Sequence, residues 1–254
     1  MFLPLYWMFI TSVADGEHAF ALPPEWVPLH NTIENYVQAF ERIPFAVQIG
    51  NSLLVTTIAV AGQLVTSALA AFAFARLKFR GREVVFTFFL VALMVPMQLV
   101  VIPLFLTMRT FGLLDTLTAL WLPSLLSVFG IFFLRQHFLS IPGELEDAAK
   151  IDGAGPWRTL LRVFLPLSGP ILSALAIFGA LNVWNDFFWP NIMITSPEKM
   201  TIPVGLVYLQ AGLASAPPAV VFAAIGAVTL PLLIVFLFAQ NAITRGIALA
   251  GVSR

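Results

Sequence analysis

Cysteine is absent from the 254-residue sequence, and histidine is rare, with only three residues. Without cysteine the chain forms neither disulfides nor thiolate metal sites, and it has no cysteine nucleophile. His18, His30 and His137 lack the spacing of metal ligands, so we predict no metal centre and no cofactor. No glycine-rich loop ends in the Gly-Lys pair that binds nucleotide phosphates. We therefore predict no ATP-hydrolysing site on this chain, and no enzyme activity of its own.

Charged residues are scarce as well. They make up 10% of the sequence, the 13 basic and 13 acidic residues cancel, and 59% of the residues are hydrophobic. A single core of this size does not bury so much apolar surface, so the lipid bilayer is the expected solvent for the rest. The few basic residues form no face that follows a phosphate backbone, which excludes nucleic acid as a partner.

Long apolar runs are what the sequence has in abundance, and five of them contain the roughly 20 residues that a membrane-spanning helix needs. The predicted spans are Val47–Ala75, Val84–Thr107, Thr116–Leu134, Val163–Trp184 and Ala219–Ala242. The opening stretch Met1–Val13 is too short to span, and we expect it to be the end of a first helix that begins upstream. A leftover signal-like segment is the less favoured alternative, because no cleavage pattern surrounds the stretch. The predicted fold class is therefore all-α, a polytopic transmembrane bundle of six helices with the first one truncated.

Prolines are expected to interrupt two of these spans. Pro96 and Pro103 fall within Val84–Thr107, and Pro166 and Pro170 lie near the start of Val163–Trp184. Each proline removes a backbone donor that neighbouring groups must compensate. A packing kink and a gating hinge are equally compatible with this pattern.

The distribution of lysine and arginine predicts the orientation in the membrane. Ten of the thirteen basic residues lie in two alternate loops and in the C-terminal segment, which all fall on the same side of the membrane. The ten are Arg76, Lys78, Arg80, Arg82, Arg135, Lys150, Arg158, Arg162, Arg245 and Arg254. By the positive-inside rule this side, including the C-terminus, is cytoplasmic.

The spans contain no Asp, Glu, Lys, Arg or His. A proton- or ion-coupled carrier usually has an ionisable group or an unwound, ion-coordinating helix near the bilayer midplane. A self-contained secondary carrier or channel for small polar solutes is therefore the weaker alternative, although neutral oxygens can also bind sodium. Gln98 and Asn182 lie within spans, and Trp184 and Asn185 at the end of one, where they suit a substrate pathway. Hydrogen bonds between helices, and for Trp184 an interfacial anchor, explain them as well.

The polar segment Ile141–Pro170 carries the most specific pattern in the sequence. Acidic residues after Pro142 and a glycine at position 153 predict a short helix from Glu144 to Asp152. On this helix Leu145, Ala148 and Ala149 share one side, where the small alanines allow another backbone to approach closely.

Pro156 is expected to begin a second short helix in the same segment. Its apolar residues Trp157, Leu160, Leu161 and Phe164 are predicted to share one face. A connector that only joins two spans is the bland alternative for the whole loop.

The loop resembles the EAA loop of binding-protein-dependent importer permeases. The resemblance lies in Asp147-Ala148-Ala149, then Gly153, Val163 and Leu165-Pro166, with Asp147 where this family usually has Glu and Val163 where it usually has Ile. Further segments are similar to the carbohydrate-uptake branch, including the smaller membrane subunit of the maltose transporter. They are ARLKFRGR (75–82), MVPMQLVVIPLF (94–105), FGLLDT (111–116), FGIFFLRQHF (129–138), WNDFFWP (184–190) and TIPVGL (201–206).

The resemblance implies a type I ABC importer permease in a bacterial or archaeal cell membrane. It implies a transmembrane domain at 47–240, preceded by a partial helix and outer loop at 1–46 and followed by a cytoplasmic tail at 241–254. The implied partners are a second permease subunit, a dimeric ABC ATPase and an extracytoplasmic solute-binding protein. The implied ATPase-coupling residues are Glu146, Asp147, Ala148, Ala149, Asp152 and Gly153. The resemblance does not decide whether Glu146 or Asp147 makes the polar contact with the ATPase.

Overall fold

The structure is a computed structural model that describes residues 2–15, 19, 26–27, 31–211 and 216–230. Within these ranges the regular secondary structure is helical, apart from an isolated antiparallel bridge between Ala14 and Asn31. The predicted all-α fold class is confirmed. The predicted tail at 241–254, and the part of the last predicted span beyond Leu230, lie outside the described residues.

The helices follow the chain in a simple order. They are α1 (Phe2–Val13), α2 (Glu34–Arg42), α3 (Phe45–Arg76), α4 (Arg82–Ala92), α5 (Met97–Thr110), α6 (Leu117–Trp121), α7 (Val128–Ser140), α8 (Gly143–Ile151), α9 (Pro156–Thr159), α10 (Leu165–Leu167), α11 (Gly169–Trp184), α12 (Phe188–Met193), α13 (Ile202–Ala211) and α14 (Pro218–Leu230). Short 3₁₀ turns lie at Pro123–Leu125 and Pro197–Lys199, and a π turn at Leu160–Phe164 joins α9 to α10.

Two stretches in the described part of the chain are long and apolar enough to cross a membrane, by length and composition. They are Phe45–Arg76, and Leu117–Ser140, which contains α6 and α7. They coincide with the predicted spans Val47–Ala75 and Thr116–Leu134, although the second continues six residues further. The first owes its length to the absence of proline and of charged residues between Phe45 and Arg76.

The predicted span Val84–Thr107 is not one straight helix, because α4 and α5 meet at an angle of 100°. Pro96 causes the break: it has no backbone N–H to continue α4, and it forces its predecessor out of helical geometry. Pro96 precedes α5 with an extended ψ of 141°. The expectation for Pro103 was wrong, since it lies inside α5 and its carbonyl oxygen accepts a hydrogen bond from Thr107 Oγ1 at 2.8 Å.

The predicted span Val163–Trp184 is also broken, and α11 begins only at Gly169. The residues Pro156–Leu167 and Gly169–Trp184 meet at 80°, with Ser168 at the corner. Ser168 Oγ donates to the carbonyl oxygen of Phe164 at 2.6 Å, which satisfies a backbone acceptor near the break. Pro166 and Pro170 flank this corner, as the sequence predicts.

Part of the predicted apolar face of the second short helix packs on the core of this chain. Leu160 and Phe164 are buried, whereas Trp157 and Leu161 are exposed. The π turn has a bond from Leu165 N–H to Leu160 O, five residues back, so it widens the helix here. The core of this chain therefore covers only one edge of the predicted apolar face.

The chain divides into two compact units. Of the described residues, the first contains those within 2–55, 114–117 and 184–230, and Phe45, Ile202, Leu209 and Val220 lie in its core. The second contains Thr56–Leu113 and Thr118–Val183. The core of the second unit is an aromatic cluster in which the Phe164 ring lies 5.2 Å from that of Phe72 and 5.3 Å from that of Phe138.

Candidate functional site

Helix α8 forms where the sequence predicts it, within one residue at each end. It runs from Gly143 to Ile151, with Pro142 before its first turn and Asp152 after its last. Glu144 and Glu146 lie in the first turn and Lys150 in the last. This arrangement of charges is favourable with respect to the helix dipole.

Gly153 ends the helix in a left-handed conformation, with φ at +75°. Its N–H donates to the carbonyl oxygen of Lys150 at 3.0 Å, and the Ala154 N–H donates to the carbonyl oxygen of Ala149 at 2.8 Å. These two bonds form a Schellman motif, which requires a residue at ease with positive φ. A Cβ at position 153 would meet no atom within 4 Å, so only the backbone conformation demands glycine.

The rest of the chain leaves α8 largely uncovered, and none of its residues is buried. Leu145 is 43% exposed and Ile151 is 87% exposed. Ala148 is exposed and Ala149 is partly exposed, so the predicted small-residue side is accessible. A short polar helix with an open side of Leu and Ala can accept another protein surface at close range.

The two acidic residues that the sequence did not distinguish have different environments. The Glu146 side chain is 18% exposed, and its carboxylate lies 3.6 Å from Arg76 Nη1 and 2.9 Å from Lys150 Nζ. The Asp147 side chain is 72% exposed, and its ion pair is with Lys150 Nζ, at 3.2 Å. Hydrogen bonds with Glu146 and Asp147 raise the pKa of Lys150. Glu146 is therefore engaged by its own chain, and Asp147 is the acid that remains accessible.

A cavity of about 350 Å³ lies in the second unit. Its lining is mostly apolar, with leucine and phenylalanine side chains, and it also carries uncharged polar side chains. The principal lining residues are Gln63, Ser67, Ser127, Phe129, Phe178 and Asn182.

Two glycines allow the cavity walls to come close. A Cβ at Gly130 would lie 2.5 Å from Ser67 Oγ, and a Cβ at Gly179 would lie 2.7 Å from Gln63 Oε1. Gln63 is fixed by a 2.9 Å hydrogen bond from its Nε2 to the carbonyl oxygen of Ser124. The cavity therefore has a defined polar wall that can exchange hydrogen bonds with a hydroxyl-rich solute.

The structure places only one of the four predicted pathway residues, Asn182, at this cavity. Gln98 and Asn185 are exposed, and Trp184 packs against the core of the first unit. Gln63 and Ser67 were not singled out by the sequence analysis. Their spacing of four residues in an apolar helix is the signal that could have identified them, because it places them on one helix face.

A second charged cluster surrounds Asp115, in the first unit. Asp115 Oδ1 accepts hydrogen bonds from the N–H groups of Thr195 and Ser196, at 3.0 and 2.9 Å. Asp115 Oδ2 accepts from Ser196 Oγ at 2.6 Å and from Lys199 Nζ at 3.0 Å. Burial alone would raise the pKa of Asp115, but these hydrogen bonds outweigh it and hold the pKa well below its usual range. This cluster was not predicted from the sequence, although Asp115 lies in the FGLLDT segment.

Comparison with known proteins identifies the family. The family described as binding-protein-dependent transport system inner membrane component matches residues 63–249, which include α8 and the cavity. An arabinooligosaccharides transport system permease protein, AraQ of Halalkalibacterium halodurans, is 33% identical over 222 residues, covering 87% of this chain and 79% of its own. A diacetylchitobiose uptake system permease protein, NgcG of Streptomyces coelicolor, is 32% identical over 253 residues. This match covers 97% of this chain and 82% of the relative.

A solved structure agrees with these relatives. A chain in the crystal structure of a bacterial ABC transporter involved in the import of the acidic polysaccharide alginate superposes with a TM-score of 0.86 at 25% identity. The match covers 94% of this chain and 90% of that chain. The broken spans, the uncovered α8 helix and the cavity thus occur on a permease fold, and the chain belongs to the family of inner membrane components of binding-protein-dependent transport systems.

Proposed function

We propose that this chain forms one membrane half of an ATP-driven sugar importer and receives the energy of ATP hydrolysis through α8. The observation that carries the proposal is the uncovered α8 helix with its Schellman stop. A helix that only joined two spans would need neither an open side of alanine and leucine nor a defined end. Both features suit insertion into a cleft of a separate ATPase.

The α8 side chains suggest how the contact is made. Ala148 and Ala149 allow close approach of a partner backbone, and Leu145 adds apolar contact beside them. Asp147 points outward and can pair with a basic or amide group of the ATPase, while Glu146 serves the internal contact to Arg76. Asp152 and Gly153 fix the end of the helix, so that the face has one orientation.

The proposed substrates are sugars or oligosaccharides. The named relatives handle arabinooligosaccharides and diacetylchitobiose, and the transporter in the solved structure is involved in alginate import. The cavity fits this class, because amides and hydroxyls bond to sugar hydroxyls and phenyl rings pack on sugar C–H faces. Asn182 is the proposed pathway residue at the cavity. Gln98, Trp184 and Asn185 remain predictions from the sequence.

The complete importer is proposed to contain a second permease, a dimeric ATPase and an extracytoplasmic binding protein. Family membership in binding-protein-dependent systems supports this assembly. The positive-inside pattern supports a cytoplasmic α8 and C-terminus. The same membership argues against the alternative of a self-contained carrier or channel, which would need no binding protein.

The test is capture of the ATPase by variants of the α8 face. Ala149→Leu should overpack the contact by about 1 to 3 kcal/mol and reduce ATPase capture together with uptake. Ser140→Leu, just before α8, enlarges a side chain that lies outside the proposed contact and should leave capture intact. The proposal fails if Ala149→Leu, inserted at normal levels, still captures the ATPase and supports full uptake.

A further inference from the structure

Arg76 is the last residue of the long helix α3, and its side chain is only 14% exposed. Arg76 Nη2 donates to the carbonyl oxygens of Phe138 and Ile141. These carbonyls lie at the C-terminal end of α7, where helix geometry leaves backbone acceptors without intrahelical donors. The guanidinium therefore caps α7 and joins it to the end of α3.

The same guanidinium is held against the aromatic core of the second unit. Its central carbon lies 4.9 Å from the centroid of the Phe164 ring. Phe164 is buried in the π turn and packs edge-on against Phe72 and Phe138. A planar cation over an aromatic face is favourable, and its weak hydration allows arginine to be buried there.

The fourth contact reaches α8. Arg76 Nη1 lies 3.6 Å from Glu146 Oε2, and both side chains are largely shielded from solvent. Only Ile141 and Pro142 separate the end of α7 from the beginning of α8. Without the ion pair, this short connection could swivel and absorb a movement of α8.

We propose that Arg76 is a positioning residue that fastens α8 to the end of α3, so that a displacement of α8 moves the membrane helix with it. The proposal rests on the proposed coupling function of α8. Arginine is required at this position because its planar fork donates to two carbonyls, pairs with a carboxylate and stacks on a ring at once. Lysine, a single point charge, can replace only the ion pair with Glu146.

The chain supplies a matched control in Arg135. Its guanidinium lies 4.0 Å from the centroid of the Phe86 ring, and Arg135 Nη2 pairs with Glu83 Oε2 at 3.0 Å. Arg135 Nε donates to the carbonyl oxygen of Phe74 at 3.3 Å. Arg135 is as well shielded as Arg76, with a side chain 11% exposed, but Phe86, Glu83 and Phe74 all lie outside α8. Replacing it tests the general cost of losing a shielded arginine.

The experiment measures whether α8 and α3 move as one body in the complete complex with its ATPase. This chain has no cysteine, so in a complex whose other subunits have had their cysteines replaced, spin labels attached to Val65→Cys in α3 and Glu144→Cys in α8 report one distance. In the otherwise unaltered complex this distance should be the same in the resting and the vanadate-trapped states. With Arg76→Gln the distance distribution should broaden and differ between the states, whereas with Arg135→Gln it should not.

A second variant keeps the test informative if Arg76→Gln does not fold. Glu146→Gln removes the charge at the α8 end of the link and leaves the Arg76 contacts with carbonyls and ring in place, so it should give the same state-dependent distance. The inference is overturned if the unaltered complex shows a different distance after trapping, or if both link variants show none. ATPase capture is measured on the same samples. If the distance measurements overturn the inference while ATPase capture is normal, the proposed function stands. Normal capture by Ala149→Leu, in contrast, contradicts the proposed function itself.

Discussion

Arg76 and Asp115 each contact residues far away in the sequence, but the two sets of contacts differ in what they leave exposed. The Asp115 carboxylate receives two backbone N–H groups, one hydroxyl and one ammonium group, all from the loop at residues 195–199. Arg76 joins the ends of two helices to α8, and the opposite side of α8 remains exposed. Because one loop of the same chain supplies four donors to the Asp115 carboxylate, its role is structural and lies within the chain. A helix that is fastened on one side and open on the other indicates a partner that the chain itself does not provide.

The largest effect on stability is expected at Asp115, whose cluster is complete within the chain. Asp115→Ala removes the acceptor of four hydrogen bonds and should lower the free energy of unfolding by about 2 kcal/mol. It should not reduce ATPase capture, because the cluster lies in a different unit from α8. Thermal unfolding in detergent measures the first effect and pull-down the second. Asp115→Asn, which keeps one acceptor and tolerates the φ of +55°, should be milder.

Gly153 should show the reverse pattern, with a smaller cost in stability and a larger loss of coupling. Gly153→Val forces a β-branched residue to a φ of +75°, at a cost of roughly 1 to 2 kcal/mol that falls on the end of α8. Uptake and ATPase capture should drop, while the melting temperature should fall less than it does in Asp115→Ala. Gly155→Val is the matched control, because Gly155 has a φ of −73° and open space around it. Equal loss of capture by both variants would show that the left-handed stop is unimportant.

The Asp115 cluster should also be insensitive to moderate acid. A lowered folded-state pKa means that the contribution to stability is fully present above the ordinary value of about 3.9 and is lost only as pH falls through the folded pKa. The difference in melting temperature between the unaltered protein and Asp115→Asn should therefore stay constant from about pH 8 to pH 5. A difference that disappears between pH 7 and pH 5 would contradict the hydrogen-bond account of the lowered pKa.

The smallest effect is expected at Lys150, whose own side chain is 59% exposed where it pairs with Glu146 and Asp147 on α8. Such pairs contribute little, since solvent screens them and ordering two long side chains costs entropy. Lys150→Met should leave the melting temperature unchanged within error. In the unaltered protein, the ion pairs of Lys150 should weaken further in high salt. A clear drop in melting temperature would mean that the exposed side of α8 has an internal structural role after all.

The sequence predicted those features whose causes are local. The stop at Gly153, the acidic first turn of α8 and the break at Pro96 each depend on neighbouring residues, so their positions were predicted within a residue or two. The 100° angle between α4 and α5 was not predictable, because proline ends a helix without setting the direction of the next.

Contacts between residues far apart in the sequence were not predicted. Arg76 contacts carbonyls more than 60 residues away, and Asp115 binds a loop 80 to 84 residues away. No pattern in either segment indicates which distant residues the fold brings close. The cavity residue Asn182 was identified as a polar residue in an apolar span. The spacing of Gln63 and Ser67 places both on one face of α3, but only the fold shows that this face meets Asn182 at the cavity.

The most direct test of the account is protection of α8 by the ATPase. The chain has no cysteine, so Asp147→Cys and Arg80→Cys each introduce a single reactive thiol, the second in the exposed loop before α4. Maleimide labelling is compared in membrane vesicles with the complete complex and after the ATPase has been stripped off. We predict at least tenfold slower labelling at position 147 when the ATPase is present, and less than twofold change at position 80. Equal labelling of position 147 with and without the ATPase would contradict the central claim that α8 is the coupling helix.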